Sequence, residues 1–363
     1  MDRGEGARPA YGFAASGRLV PKPFLPPKSD GVKVHHSISE LAQVPGPVVL
    51  AIGVFDGLHL GHRAVLERAQ EEARRIGGTA VPLSFDPHPA RVLRPENAPL
   101  MLTAAEHKMR LLEAMGFSHT LLLPFNLTVA ATSADDFIRS LAQTARPLAA
   151  ICVGHQWSFG KGRQGNLESL AKLGAQMGFV EIGVPEILFE GEAVSSTRIR
   201  NALTQGDFVQ ASRLLGRAYS VLGEVQRGRA LGRTLGFPTA NLGLFNEQLP
   251  PHGVYAVRAT GAVGAAPLPG VANLGTRPTV ECSPVQPTLE VHLLDYSGDL
   301  YGKILEVEFV APLRGEQKFA SLDLLRQQIH LDTLRAKEVL GLTTSLPLAG
   351  SQNSVHQRKE PSK

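Results

Sequence analysis

PVVLAIGVFDGLHLGHRAVLERAQEEARRIGG, residues Pro47 to Gly78, decides the fold. Its first nine residues are a short apolar run of the kind that makes a buried strand. Beyond the glycines, Val65, Ala69, Ala73 and Ile76 recur at spacings of four, four and three, which sets them on one helical face. Outward from this unit, TAVPLSF (Thr79–Phe85), HTLLLPF (His119–Phe125) and AAICVG (Ala149–Gly154) read as further buried strands. Strands alternating with helices from about Val34 to Pro185 imply a parallel, doubly wound α/β sheet. One helical stretch, STRIRNALTQGDFVQASRLLG, leads out of it. After Ser220 the texture changes. YSVLGEVQ, GVYAVRAT, TLEVHLLDY and ILEVEFV, separated by Gly- and Pro-rich turns, suggest a small β-barrel or sandwich, closed by a helical run from about Leu322 to Leu340.

The 363 residues suit about two domains. The expected organisation is an aperiodic, disordered tail over 1–33, a first domain over 34–207, a second over 208–342 and another disordered tail over 343–363. Hydrophobic residues at 43% and charged residues at 19% exclude wholesale disorder. No uncharged apolar run approaches the ~18 residues of a membrane-spanning helix. Two cysteines, Cys152 and Cys282, are too few for a disulfide framework, so a cytoplasmic, reducing location is expected. The net charge of +4 belongs to the tails. Residues 1–34 carry six Lys/Arg against three Asp/Glu and residues 345–363 three against one, which leaves −1 for everything between. Neither nucleic acid nor a membrane is therefore the expected partner.

Gly53, Phe55, Asp56, Gly57, His59, Gly61 and His62 stand where the first strand meets the first helix. Ligands of open parallel sheets bind outside the carboxyl ends of the strands, and a helix N-terminus attracts phosphate. Two histidines three residues apart can donate to one anion there. The run is neither a Walker loop nor G-x-G-x-x-G. A tight turn with solvated histidines is the plainer alternative. VSSTRIR, with Ser195, Ser196, Thr197, Arg198 and Arg200, is a second anion site or else a helix cap followed by surface charge. FDPHP (Phe85–Pro89) and VGHQWSFGKGRQG (Val153–Gly165) also follow strands, placing Phe85, Pro87 and His88 toward a substrate. Phe85, Trp157 and Phe159 can stack on a planar ring, though aromatics at such positions are more often core.

In the second half, Gly228, Gly232 and Gly236 lead into Phe237-Pro238-Thr239-Ala240-Asn241-Leu242. Thr239 and Asn241 face one side of an extended chain, and their oxygens suit Mg²⁺. A polar turn accounts for the same residues. Glu290, His292 and Leu294 share one strand face, where Glu290 is either a general base or a solvated carboxylate.

Taken in order, GVFDGLHLGH, FDPHPARVLRP, VGHQWSFGKGRQG, VSSTRIR, GRALGRTLGFPTANL, GVANLGTRPTV, LEVHLLDY and QQIHLDTLRAKEVL resemble the bacterial bifunctional riboflavin kinase/FAD synthetase family, over about Val32 to Leu342. The resemblance implies a Rossmann-like nucleotidylyltransferase domain followed by a small β-barrel kinase domain with a C-terminal helix. It implies riboflavin, FMN, FAD and ATP as ligands and Mg²⁺ as cofactor. His59 and His62 would bind ATP phosphates and stabilise charge at the α-phosphate, beside Gly53 and Phe55. Ser196, Thr197 and Arg198 would hold the departing pyrophosphate, and Asn126 would contact the nucleotide. Phe85, Pro87, His88 and Phe159 would meet the flavin. Gly232 and Gly236 would cover the kinase's phosphates, Thr239 and Asn241 would ligate Mg·ATP, and Glu290 would be the base on the riboflavin hydroxyl. Gln156, Trp157 and Ser158 depart from the family's usual Asp or Asn, Phe and Arg. A riboflavin kinase with a weak or silent adenylyltransferase domain is therefore the nearest alternative. A nucleotidylyltransferase for another substrate and a non-catalytic flavin- or RNA-binding regulator lie further off.

Overall fold

Six strands build the first sheet: β1 (Lys33–His35), β2 (Val48–Ile52), β3 (Thr79–Asp86), β4 (His119–Pro124), β5 (Leu148–Gly154) and β6 (Val180–Val184). This computed structural model describes residues 31–228, 232, 235–261, 266–276 and 287–342. Most of both expected tails, with Arg229, Arg233, Cys282 and the end of GVANLGTRPTV, lies outside the described residues. β1 opens at Lys33, inside the segment read as a tail, because it pairs with β4.

The strand order is β1-β4-β3-β2-β5-β6 and each pairing is parallel. All five residues of β2 are buried, since both faces are covered. Val48, Leu50 and Ile52 join one core layer with Phe137, Ile138 and Leu170; Val49 and Ala51 join the other with Leu66, Ala69 and Leu112. Those layers come from α5 (Ala134–Thr144) and α6 (Leu167–Met177) on one side, and from α1 (Leu60–Ile76) and α3 (Ala105–Ala114) on the other. The short helices α2 (Pro89–Leu93) and α4 (Leu127–Ala131) follow β3 and β4. Because β3 lies on one side of β2 and β5 on the other, the carboxyl end of β2 is the sheet's switch point.

After β6 come a two-stranded hairpin, β7 (Leu188–Phe189) and β8 (Glu192–Ala193), and α7 (Ser196–Thr204). The helical stretch expected here as one run is two. Gly206 turns left-handed at φ 74°, Asp207 caps the next helix by accepting from the Gln210 amide at 2.8 Å, and α8 (Phe208–Leu215) starts afresh.

The second half is a closed antiparallel barrel of β9 (Ser220–Gln226), β10 (Ala240–Leu244), β11 (Gly253–Thr260), β12 (Leu268–Thr276), β13 (Pro287–Leu293) and β14 (Ile304–Arg314). Around it the order is β9-β10-β13-β12-β11-β14. α9 (Leu322–Val339) lies across its outer face, where Ala336 joins Val254, Val271, Leu294 and Leu313. The barrel interior does not end at the barrel. Leu289, Val291 and Phe309 belong to one continuous cluster with Phe208, Leu214 and Leu215 of α8, Ile199 and Leu203 of α7, and Leu60 and Leu102 of the first half.

Candidate functional site

The turn between β2 and α1 occupies the switch point. Phe55 and Leu58 have positive φ (52° and 42°) beside Gly57 at 86°. Two non-glycine residues in that region are a stored cost, and such strain clusters at functional sites. Gly53 is required because a Cβ there would come within 2.7 Å of the buried Phe55 ring. His59 caps α1: its Nδ1 accepts from the His62 amide at 3.3 Å. Its ring lies on that of His62 with centroids 3.6 Å apart and planes at 19°. Burial and then the Arg200 charge pull His59 down to about 4, and burial, His59 and Lys108 drive His62 well below its ordinary value. Both imidazoles are neutral at neutral pH. With Nδ1 of His59 accepting, its proton resides on Nε2, leaving one N–H to offer at the positive end of the helix.

The start of α7 comes to the same place. Ser195 caps that helix, accepting from the Arg198 amide at 3.3 Å, and the Ser196 hydroxyl donates to the Asp56 carbonyl at 2.9 Å. A Cβ on Gly61 would lie 3.6 Å from the Val194 carbonyl, so the two helix N-termini converge. Thr197 is exposed. Asp56 itself is buried; its carboxylate accepts from the amides of Leu102 (3.3 Å) and Thr103 (3.0 Å) and from the Arg200 guanidinium. The Arg198 guanidinium donates to the carbonyls of Phe189, Glu192 and Ala193 and pairs with the Glu192 carboxylate, bracing the β7–β8 hairpin.

On the outer wall of the barrel a second polar group forms. Along β13, Leu289, Val291 and Leu293 point inward while Glu290 and His292 face out. Glu290 sits opposite Asn241 of β10 and opposite Asn273 of β12, so three polar residues form a row across three strands. A cavity of about 370 Å³ lies over this wall and beneath α9, lined among others by Gly232, Thr239, Asn273, Glu290, Arg314 and Ile329. The His292 ring meets the Pro238 carbonyl at 2.8 Å. Gly228 lies so close to Asn241 that a Cβ would fall 2.3 Å from its amide nitrogen. Arg314 clamps the buried Asp332 of α9 through two nitrogens (2.8–3.1 Å).

Two family models match, in this order: FAD synthetase over residues 41–198 and riboflavin kinase over residues 215–340. The chain is 41% identical over 313 residues to the bifunctional riboflavin kinase/FMN adenylyltransferase of Escherichia coli K12, covering 86% of this chain and 99% of that protein. The chain belongs to the bifunctional riboflavin kinase/FMN adenylyltransferase family. The Bacillus subtilis member is 35% identical over 310 residues, covering 83% of this chain and 94% of its own length. A crystal structure described as a macrolide-efflux protein from Streptococcus pneumoniae matches with a TM-score of 0.72 and 28% identity, over 84% of this chain and 99% of that one. Among the described residues of this chain no helix is long and apolar enough to cross a membrane.

Within the FAD synthetase module the structure brings Gly53, Phe55, His59, His62 and Ser196 together at the switch point. Asn126 caps α4, its side-chain oxygen accepting from the Val129 amide at 2.9 Å. His88 caps α2 in the same way, accepting from Ala90 at 3.0 Å, and burial foremost lowers its pKa. Pro87 is exposed and Phe85 is half-buried against Phe125. Phe159 is 7% exposed, a core residue stacked on Trp157 at 4.2 Å, so Trp157 is the more accessible ring of that pair. Within the kinase module Gly232, Thr239 and Glu290 share the cavity, while Gly236 turns the chain beside it at φ 85°. Sequence reading missed Asn273, Lys108 and the Arg314–Asp332 clamp. Alignment of Asn273 with Glu290 depends on barrel register, which no local pattern announces.

Proposed function

We propose that the kinase module transfers the γ-phosphoryl group of ATP to the riboflavin 5′-hydroxyl at the Thr239–Glu290 wall, and that FMN is then adenylylated at the His59–His62 turn. The observation that carries this reading is the pair of stacked, neutral histidines at the N-terminus of α1, built at the switch point of a parallel sheet. An FMN phosphate oxygen is already an anion when it attacks the α-phosphorus, so no strong base is needed. What the transition state requires is fixed donors for the charge that develops. The Nε2–H of His59, the amides that open α1 and the hydroxyls of Ser196 and Thr197 supply them. Arg198 would exchange its Glu192 partner for the departing pyrophosphate.

In the kinase module Glu290 takes the proton of the attacking hydroxyl, and Arg314, anchored to Asp332, fixes the far wall of the flavin cavity. Thr239 and Asn241 offer a hydroxyl and an amide oxygen, a hard donor pair that fits Mg²⁺. The ion, when bound, would neutralise phosphate charge during transfer. At the first site the Asp56 carboxylate is committed to Arg200, so a cation there would ride on the nucleotide's own oxygens.

The test is purified protein with ATP, Mg²⁺ and riboflavin, following FMN and FAD by chromatography. Glu290→Ala should lower FMN formation by about 10²–10⁴-fold and spare conversion of supplied FMN to FAD. His59→Ala should do the reverse, by about 10²–10³-fold. Loss of both activities in either folded variant overturns the two-site assignment. Absence of pyrophosphate release from wild type with ATP and FMN would leave a kinase alone.

A further inference from the structure

Lys108 belongs to no motif, yet it is one of the largest fully buried side chains among the described residues, 2% exposed. It rises from the middle of α3 and ends at the carboxyl ends of β2 and β3. There its Nζ donates to the Val54 carbonyl at 2.8 Å and to the Ser84 hydroxyl at 3.0 Å. Ser84, itself fully buried, donates in turn to the same Val54 carbonyl at 2.8 Å. Both acceptors are neutral oxygens. The charged and titratable groups facing Lys108 are Asp56 from the turn, Asp86 from the end of β3, His62 from α1 and His88 before α2. Asp56 is already paired with Arg200, and Asp86 is exposed at the mouth.

Burying an ammonium without a dedicated carboxylate is costly, and a neutral donor such as glutamine would tie the same two oxygens together. Asp56 and Asp86 repay that cost in part, and an anion arriving nearby would repay more of it. The place is the floor of the turn that carries the histidine pair.

We infer that Lys108 is a positioning residue for adenylyl transfer: it holds the Val54 carbonyl, and with it the Gly53–Gly57 turn, and sets one fixed positive charge beneath His62 where the nucleotide's phosphates settle. The inference rests on the histidine turn being the adenylyltransferase site. Burial brings the Lys108 ammonium down to about 8, with Asp56 and Asp86 opposing that fall. In kcat/KM, which reports the free enzyme, adenylyl transfer by the wild type should therefore fall as pH rises through about 8, while the kinase step shows no such limb. A purely structural lysine would not put a limb in one activity and spare the other.

The experiment uses the full chain and reads both activities on the same preparations, so that the kinase reports folding. Lys108→Met should lower kcat for FMN to FAD by about a hundredfold at pH 7 and raise the KM for ATP in that step, with kinase activity within about twofold. Lys108→Arg should restore part of that rate and carry the alkaline limb above the measurable range, since a guanidinium stays charged. Adenylyl transfer within threefold of wild type in Lys108→Met overturns the inference. So does a wild-type kcat/KM profile for adenylyl transfer that stays flat from pH 6.5 to 9.5, a measurement that needs no variant. If His59→Ala abolishes adenylyl transfer while Lys108→Met does not, the site stands and only the role of Lys108 falls. If His59→Ala is without effect, the site itself falls.

Discussion

Gly53 and Gly228 do the same work in the two modules: each makes room for a side chain that the site needs in one place. The ring of Phe55 fills the space a Cβ on Gly53 would take, and that ring is 1% exposed, with nowhere to retreat. Gly53→Ala should therefore lower adenylyl transfer by about tenfold or more while the kinase rate holds, since a displaced turn misplaces its donors. Gly228→Ala should show the opposite pattern, because the intruding methyl displaces the Asn241 amide. Steady-state assays of each half-reaction check both. Arg198 illustrates a residue whose charge was legible in VSSTRIR while its resting partners were not. The carbonyls it holds belong to a hairpin of two-residue strands, too short to leave a periodic pattern.

At the scale of elements, α3 is the bridge. Lys108 faces the sheet, and its neighbour His107 reaches the barrel. The His107 Nδ1 accepts from the Asn246 amide at 3.2 Å, so its Nε2–H donates to Glu306 of β14 at 3.2 Å, and the Ser220 hydroxyl donates to the same carboxylate at 2.6 Å. Burial pushes the Glu306 carboxyl up, but those two donors and the Arg217 charge outweigh it and bring it down to about 2. A carboxylate depressed below its unfolded value contributes stability that is full above pH ~4.5 and is lost as pH falls toward 2. Wild type should therefore lose melting temperature more steeply than Glu306→Gln between pH 5 and 3, measured by circular dichroism. A parallel decline would show that the network contributes nothing. The main strands and α1 were readable because their apolar periods are long and their faces fully covered. β10 and β12 were harder, since Ala240–Leu244 and Leu268–Thr276 mix glycine, proline and asparagine and are held by barrel closure rather than by local pattern.

For the whole molecule the governing fact is the shared core. α8 packs its Phe208 against Tyr255 and Phe309 of the barrel while its neighbour α7 opens on the adenylyltransferase turn. Tyr219 donates to the Gln248 carbonyl at 2.5 Å, and Asn246 donates to the Leu102 carbonyl at 2.7 Å. The next residue, Thr103, holds Asp56 and Gly57. A fragment ending at residue 207 strips Phe208, Leu214 and Leu215 from α7, at about 1.5–3 kcal/mol for each large side chain uncovered. It should melt well below a fragment ending at residue 218; equal melts would show that α8 is dispensable to the first half. None of this was visible in composition, because a contact between residues far apart in the chain, such as Leu102 and Asn246, leaves no mark on either segment.

The segment Met101–Thr103 is a hinge pin shared by both modules. The amides of Leu102 and Thr103 hold Asp56 in the turn of one catalyst, and the carbonyls of Met101 and Leu102 accept from residues 246–248 of the other module, so a shift of either module is felt at the other. A chimera that joins the first module of this chain to the barrel of a relative should keep both half-reactions only where residue 246 still offers a side-chain amide to the Leu102 carbonyl, which steady-state assays of the two steps would check.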